Sequence, residues 1–250
     1  MRRAPLEALS ASVSNFRASM NAFSTLASRR TAKRPAAGAS LGRKGVRLAF
    51  ETHAVGARPP GAALPTVAVL GRSNVGKSSL LNALLGIPVA RVSQTPGRTQ
   101  ALFWYRVDDA FDVVDCPGYG YAKTAKEKRA LFSEMIESFL VGPPAPLAAL
   151  LLVDGRLEPQ ESDRSMALFL KNAGVPTLVV ATKWDAVKPS ERVRRRRALA
   201  AEYEDAPGGD SLPRPLLPVS SETGENLHDL ARRLRARLDP SAKENDHAST

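Results

Sequence analysis

Gly71-Arg72-Ser73-Asn74-Val75-Gly76-Lys77-Ser78 fits the pattern G-x-x-x-x-G-K-[ST], and it lies between the apolar run Val67 to Leu70 and a helical stretch from Ser79 to Leu85. Strand, loop and helix in that order form the setting a phosphate-binding loop needs. Gly71 and Gly76 lack Cβ atoms, so successive backbone N–H groups can turn inward as an anion nest, closed by the positive end of the following helix. Lys77 then offers a cation to the β- and γ-phosphates, and the Ser78 hydroxyl a ligand to Mg²⁺. A glycine-rich turn that matches by accident is the bland alternative, and the flanking elements count against it. The chain is expected to bind a nucleoside triphosphate.

Apolar runs alternate with helix-period segments along the rest of the chain. Strands are expected at Val67 to Leu70, Ala101 to Val107, Phe111 to Asp115, Leu147 to Asp154, Val175 to Ala181 and, at an edge, Leu216 to Ser220, with a turn at Asp108-Asp109. Helices are expected at Ser78 to Leu85, Lys126 to Leu140, Ser162 to Asn172, Glu191 to Tyr203 and Asn226 to Leu238. This alternation predicts an α/β fold of the P-loop NTPase type, a three-layer α/β/α sandwich on a mostly parallel six-stranded sheet. In such sheets ligands sit beyond the carboxyl ends of the strands, so chemistry is sought in the polar residues that follow each strand.

At 250 residues and 43% hydrophobic composition the chain supports one nucleotide domain, assigned to 46–238, with a basic leader at 1–45 and a polar tail at 239–250. The leader is rich in Ala, Ser and Arg, has Glu7 as its acidic residue, and reads as disordered. Three readings of it stay open: a transit peptide, a basic RNA-contacting arm, or an over-extended start with Met20 as the initiator. The net charge of +11 points to an acidic partner, nucleic acid or a ribonucleoprotein ahead of a membrane surface, and 6% aromatic content favours phosphate attraction over base stacking. A single cysteine, Cys116, excludes internal disulfides, argues against zinc and suits a reducing compartment. No apolar run is long enough to span a bilayer.

The strand ends carry a guanine-nucleotide constellation. Asp115-Cys116-Pro117-Gly118 follows its strand, with Asp115 reaching Mg²⁺ through water and the Gly118 N–H meeting the γ-phosphate. Thr182-Lys183-Trp184-Asp185 follows another. A fixed carboxylate at Asp185 accepts from guanine N1–H and the N2 amine together, whereas adenine offers neither donor, so GTP is expected rather than ATP. Lys183 lays its aliphatic stem along the base. Val219-Ser220-Ser221 is placed to bring a backbone N–H and hydroxyls near guanine O6. Thr99 completes the Mg²⁺ shell when a γ-phosphate is present and releases its loop when it is lost; Gly97, Arg98, Gln100 and Ala101 are assigned to the nucleotide with it.

With Gly71 to Asn82, Thr95-Pro96-Gly97-Arg98-Thr99-Gln100 and Asp115-Cys116-Pro117-Gly118-Tyr119-Gly120-Tyr121-Ala122-Lys123 in place, the chain resembles the EngB (YihA/YsxC) family within the TrmE-Era-EngA-EngB-septin-like GTPases, over about Val46 to Leu238. The resemblance implies a GTPase switch that assists large ribosomal subunit assembly and, in bacteria, is linked to septation and division. It implies GTP and GDP as ligands, Mg²⁺ as cofactor, the large subunit or its precursor as partner, and a monomer. Trp184 departs from the family, standing where a small residue is usual, and the leader is longer than in bacterial forms. The compartment is therefore expected to be the cytoplasm, with mitochondrion or plastid as the alternative.

Catalysis is assigned to Lys77, Thr99 and Gly118. Tyr119 stands where many GTPases carry a water-orienting glutamine, so it either packs, or hydrolysis is slow until a partner completes the site. Asn74 matches a K⁺ ligand of potassium-activated relatives, or it caps a loop turn. Two basic clusters, Lys123, Lys126, Lys128 and Arg129, and Arg192 with Arg194 to Arg197, read as solvated faces, although the first adjoins the switch string and is alternatively an rRNA contact that changes with nucleotide state.

Overall fold

The computed structural model describes residues 41–42, 45–61, 63–88, 101–120, 126–203 and 216–238, with the side chains of 126–129 outside that description. Its strands are β1 (Val46–Thr52), β2 (Thr66–Gly71), β3 (Leu102–Val107), β4 (Phe111–Asp115), β5 (Ala148–Asp154), β6 (Thr177–Thr182) and β7 (Leu216–Pro218). Its helices are α1 (Lys77–Leu85), α2 (Lys126–Val141), α3 (Glu161–Asn172), α4 (Pro189–Glu202) and α5 (Leu227–Leu238), with one 3₁₀ turn at Trp184–Ala186.

The strands form one sheet in the order β1-β3-β4-β2-β5-β6-β7. From β4 to β7 every neighbouring pair is parallel, while β3 runs antiparallel to both β4 and β1. All six residues of β2 and of β6 are buried, because helices cover both faces and successive side chains point to opposite layers. Val67, Val69, Leu150, Leu152, Leu178 and Val180 pack with Leu80, Leu81 and Leu84 of α1 and Leu230 and Leu234 of α5. Ala68, Leu70, Ala149, Leu151, Val179 and Ala181 face the other way, onto Met135, Ile136 and Phe139 of α2, Leu170 of α3 and Leu199 of α4. The expected three-layer sandwich is thus present, and the Asp108-Asp109 turn closes the β3–β4 hairpin with both residues at positive φ, 53° and 57°.

The expectation of six strands needs correction: among the described residues there are seven. β1 is an edge strand with mixed exposure, and a bulge between Leu48 and Phe50 interrupts its two-residue period, so its sequence carries little strand signal. Phe50 meets Trp104 edge-on at 5.4 Å, and Trp104 meets Phe139 of α2 at 5.6 Å. Packing also extends ahead of residue 46. Leu41 is 2% exposed in the core beside α1, its N–H donates to the Leu84 carbonyl at 2.6 Å, and the Gly45 N–H donates to the Asp108 carboxylate at 2.8 Å.

Candidate functional site

The loop between β2 and α1 is shaped by backbone conformations that its residues tolerate. Asn74 and Gly76 sit at φ of 64° and 102°, left-handed values that glycine and asparagine adopt most readily. Gly76 caps α1 and no side chain hydrogen-bonds to that helix terminus, which leaves the first N–H groups and the positive end of the helix facing the loop. Lys77 is buried and its ammonium donates to the Asp115 carboxylate at the end of β4, which is buried as well. Burial pushes the Asp115 carboxyl upward from the ordinary carboxylate value, and the Lys77 charge opposes that push. Ser78 lies half-buried one residue on. A buried cation, a buried carboxylate, a hydroxyl and an uncapped helix terminus in one place form a donor set that fits a polyphosphate with a hard divalent ion.

The segment after β4 closes against this loop. The Ser73 N–H donates to the Tyr119 carbonyl at 3.0 Å, and Arg72 and Tyr119 form a parallel bridge. The approach at Gly118 is tight: a Cβ there would stand 3.1 Å from both the Ser73 nitrogen and its Oγ, so any side chain would push the Ser73 loop back by a few tenths of an ångström. Cys116 and Pro117 are buried. The Cys116 thiol is pushed up by burial, and its backbone N–H donates to the Val69 carbonyl at 3.1 Å, a structural role. The Tyr119 hydroxyl donates to Asp163 Oδ1 of α3 at 3.0 Å.

At the ends of β5, β6 and β7 a second loop cluster meets the first. The Lys183 ammonium donates to the Asn74 carbonyl and, at 3.0 Å, to Asp154 Oδ2. Asp154 is in turn held by Arg156, through Nε at 2.9 Å, Nη2 at 2.8 Å and the backbone N–H at 3.1 Å. The Thr182 hydroxyl lies 2.6 Å from the Val75 carbonyl and 3.0 Å from that of Val153, fastening β6 to the phosphate loop. Lys183 itself is at φ 55°. Asp185 is exposed at the rim, and the Ser220 hydroxyl donates to its Oδ1 at 2.6 Å while accepting from the N–H groups of Glu222 and Thr223. Val219 accepts from the Trp184 N–H at 3.2 Å, and Ser221 is half-buried beside it.

Most of the expected residues therefore converge. Gly71 to Ser78, Asp115 to Gly118, Thr182 to Asp185 and Val219 to Ser221 all stand at the carboxyl ends of neighbouring strands, and Arg72 to Val75 share a cavity of about 210 Å³ with Asp154, Arg156, Leu157 and Lys183. Gly97, Arg98, Thr99 and Gln100 lie outside the described residues, whereas Ala101 is buried at the start of β3. One role differs from expectation: the Ser220 hydroxyl is committed to Asp185 rather than turned toward a base oxygen. Trp184 is 4% exposed and stacks under Arg192, its ring filling the space beside Gly155. The sequence reading missed Asp154 and Arg156. A carboxylate closing a central strand was the available signal, since it occupies the position where ligands of such sheets gather. Asp163 gave no such signal, because an acid in a helix's first turn reads as dipole compensation.

Comparison with known proteins follows the same residues. Residues 66–183 match the family described as MMR_HSR1, 50S ribosome-binding GTPase. The probable GTP-binding protein EngB of Thermotoga maritima is 41% identical over 181 residues, spanning 70% of this chain and 89% of the relative. That of Oleidesulfovibrio alaskensis is 45% identical over 176 residues, spanning 67% of this chain and 77% of the relative. Among solved structures, a probable GTP-binding protein engB superposes with a TM-score of 0.55 at 23% identity over 70% of this chain and 99% of that one, and Era from Aquifex aeolicus with 0.55 at 24% over 69% and 56%; both agree on the fold. Among the described residues no helix is long and apolar enough to cross a membrane. With the loop geometry and these identities together, the chain belongs to the EngB family of GTP-binding GTPases.

Proposed function

We propose that this chain hydrolyses GTP as a switch that assists assembly of the large ribosomal subunit, in the cytoplasm and as a monomer, with the link to division and septation that the family resemblance implies. The observation that carries the nucleotide part is the joint between Lys183 and Asn74: it locks the base-side loop onto the phosphate-side loop, so one ligand is read at both ends. Asp185, oriented by Ser220, accepts from the guanine N1–H and N2 amine. The Gly71 to Ser78 backbone and Lys77 hold the phosphates. Ser78 and Thr99, with Asp115 through water, would hold Mg²⁺, and that ion would supply positive charge to the phosphates. Phosphates in the loop would compete with Asp115 for the Lys77 ammonium and would leave that carboxylate to the metal side. The Gly118 N–H stands at the γ-phosphate end.

Tyr119 supports slow intrinsic turnover. Its hydroxyl is engaged by Asp163 on α3, so the side chain at the water-orienting position serves the link between the 115–120 segment and the helix layer. A partner then supplies the missing orientation. Asn74 is exposed at the rim of the same loop, and we assign its side chain to a monovalent cation, K⁺, beside the phosphates; equal hydrolysis rates in KCl and NaCl at matched ionic strength would remove that assignment.

The deciding experiment pairs nucleotide titration with co-sedimentation. GTP and GDP are expected to bind and ATP to compete poorly, and the protein is expected to sediment with large subunits or their precursors in a nucleotide-dependent manner. Hydrolysis should rise when those particles are added. Affinity for ATP equal to that for GTP would refute the base reading, and absence from the particles under both nucleotides would refute the ribosomal one.

A further inference from the structure

The five arginines of α4 divide into two kinds. Arg192 turns inward: its Nη2 donates to the Trp184 carbonyl at 3.1 Å, its Nε to the Val187 carbonyl at 3.2 Å, and its Nη1 lies 3.4 Å from Glu225. Arg195, with a side chain only 10% exposed, pairs with Glu158. These two flank the buried side on which Leu199 packs. Arg194, Arg196 and Arg197 are exposed and form no ion pair or hydrogen bond with any described residue. At 100° per residue Arg194 and Arg197 stand with Ser190, Val193 and Ala201 on the face opposite Leu199, whereas Arg196 stands about 60° from Leu199, at the exposed margin of the buried side.

No carboxylate answers them on α4. Glu202 is engaged by Arg164 of α3 at 2.6 Å, and Glu191, half-buried, pairs with none of the three. Like charges one turn apart repel, so the described fold carries this cost without any internal compensation. An external anion would offset it. A membrane surface fits poorly, because Val193 is the one large apolar side chain on that face and an interfacial helix needs an apolar stripe to bury. Guanidinium forks on a rigid helix, without an apolar anchor among them, suit the spaced phosphates of RNA.

The anchors of α4 are Trp184, Glu158, Glu225 and Arg164. None belongs to the phosphate loop or to the 115–120 segment. We infer that Arg194 and Arg197 on the outer face of α4, with the exposed Arg196 at the margin of its buried side, form a docking surface for RNA phosphates that works equally with GTP or GDP bound. This rests on the ribosomal reading for its partner, while assigning that partner a surface apart from the switch.

The test is equilibrium binding of the full chain to deproteinised large-subunit rRNA across a KCl series, with GDP and with a non-hydrolysable GTP analogue. The triple change R194E/R196E/R197E is expected to lower affinity about tenfold or more at physiological salt, and to reduce the slope of log K against log salt by about 2, equally in both nucleotide states. GTP affinity and melting temperature should hold. R194K/R196K/R197K should keep the wild-type slope, and R194Q/R196Q/R197Q should reproduce a smaller loss without charge reversal. Wild-type affinity and slope in the Glu triple would overturn the surface alone, as would a loss confined to one nucleotide state, or a loss on phosphatidylglycerol vesicles with rRNA binding intact. A wild-type protein that binds GTP but neither rRNA nor large subunits would overturn the ribosomal reading and this surface with it.

Discussion

Asp154 shows how one side chain joins two binding loops. Burial pushes its carboxyl upward, yet the hydrogen bonds from Arg156 and Lys183 outweigh that and hold it below the usual carboxylate range. It is therefore an anion at neutral pH, and it restrains the Lys183 ammonium over the Asn74 carbonyl. Asp154→Asn keeps the shape and removes the charge. The expected result is a loss of about 1 to 2 kcal/mol, near tenfold, in affinity for GTP and for GDP alike, because a hydrogen bond to a charged partner is weakened. Preference for guanine over adenine should persist, since Asp185 and Ser220 are untouched. Titration with a fluorescent guanine nucleotide, followed by competition with ATP, measures both, and unchanged affinity would remove Asp154 from the relay.

Among the elements, β1 and α3 each support the site from a distance. β1 forms the sheet edge and sets Phe50 edge-on against Trp104, which carries the contact through to Phe139 in the helix layer. Phe50→Ala is expected to destabilise the fold by about 2 kcal/mol, below the range for a fully buried phenylalanine because the residue is half-exposed. The urea midpoint should fall while GTP affinity in the folded protein stays the same; a parallel fall in affinity would mean that β1 shapes the pocket itself. α3 acts through its first turn, where Asp163 receives the Tyr119 hydroxyl and so ties the segment after β4 to the helix layer.

The same carboxylate sets a pH dependence for the whole molecule. Asp163 is 2% exposed, and burial raises its pKa to about 6, against the hydrogen bond from Tyr119 and the charge of Arg72, with Asp154 adding to the rise. Tyr203 also faces this cluster. A carboxyl raised in the folded state binds its proton more tightly there than in the unfolded chain, so its contribution to stability is greatest below the unfolded value near 3.8 and declines as pH rises through 6. Asp163→Asn removes the decline. Relative to wild type the variant should gain roughly 1 kcal/mol in stability between pH 5 and pH 7.5. Chemical denaturation at the two pH values tests this, and a constant difference would show that Asp163 does not titrate in that window.

Reading of the phosphate loop needed no structure, because it depends on residue types at fixed short spacing: two glycines, a lysine and a serine between a strand and a helix. The same holds for Asp115 to Gly118 and for Thr182 to Asp185, each placed by the apolar run before it, and for the sandwich, which follows from the alternation of strand and helix periods. What only the tertiary structure decided are the partners that these groups find across long sequence distances. Lys77 with Asp115, Lys183 with Asn74 and Asp154, Tyr119 with Asp163, and the division of the α4 arginines into paired and unpaired sets depend on which strand ends become neighbours. Local pattern encodes which face of an element is apolar, but a polar contact is chosen by the three-dimensional adjacency of loops, which periodicity along the chain does not contain.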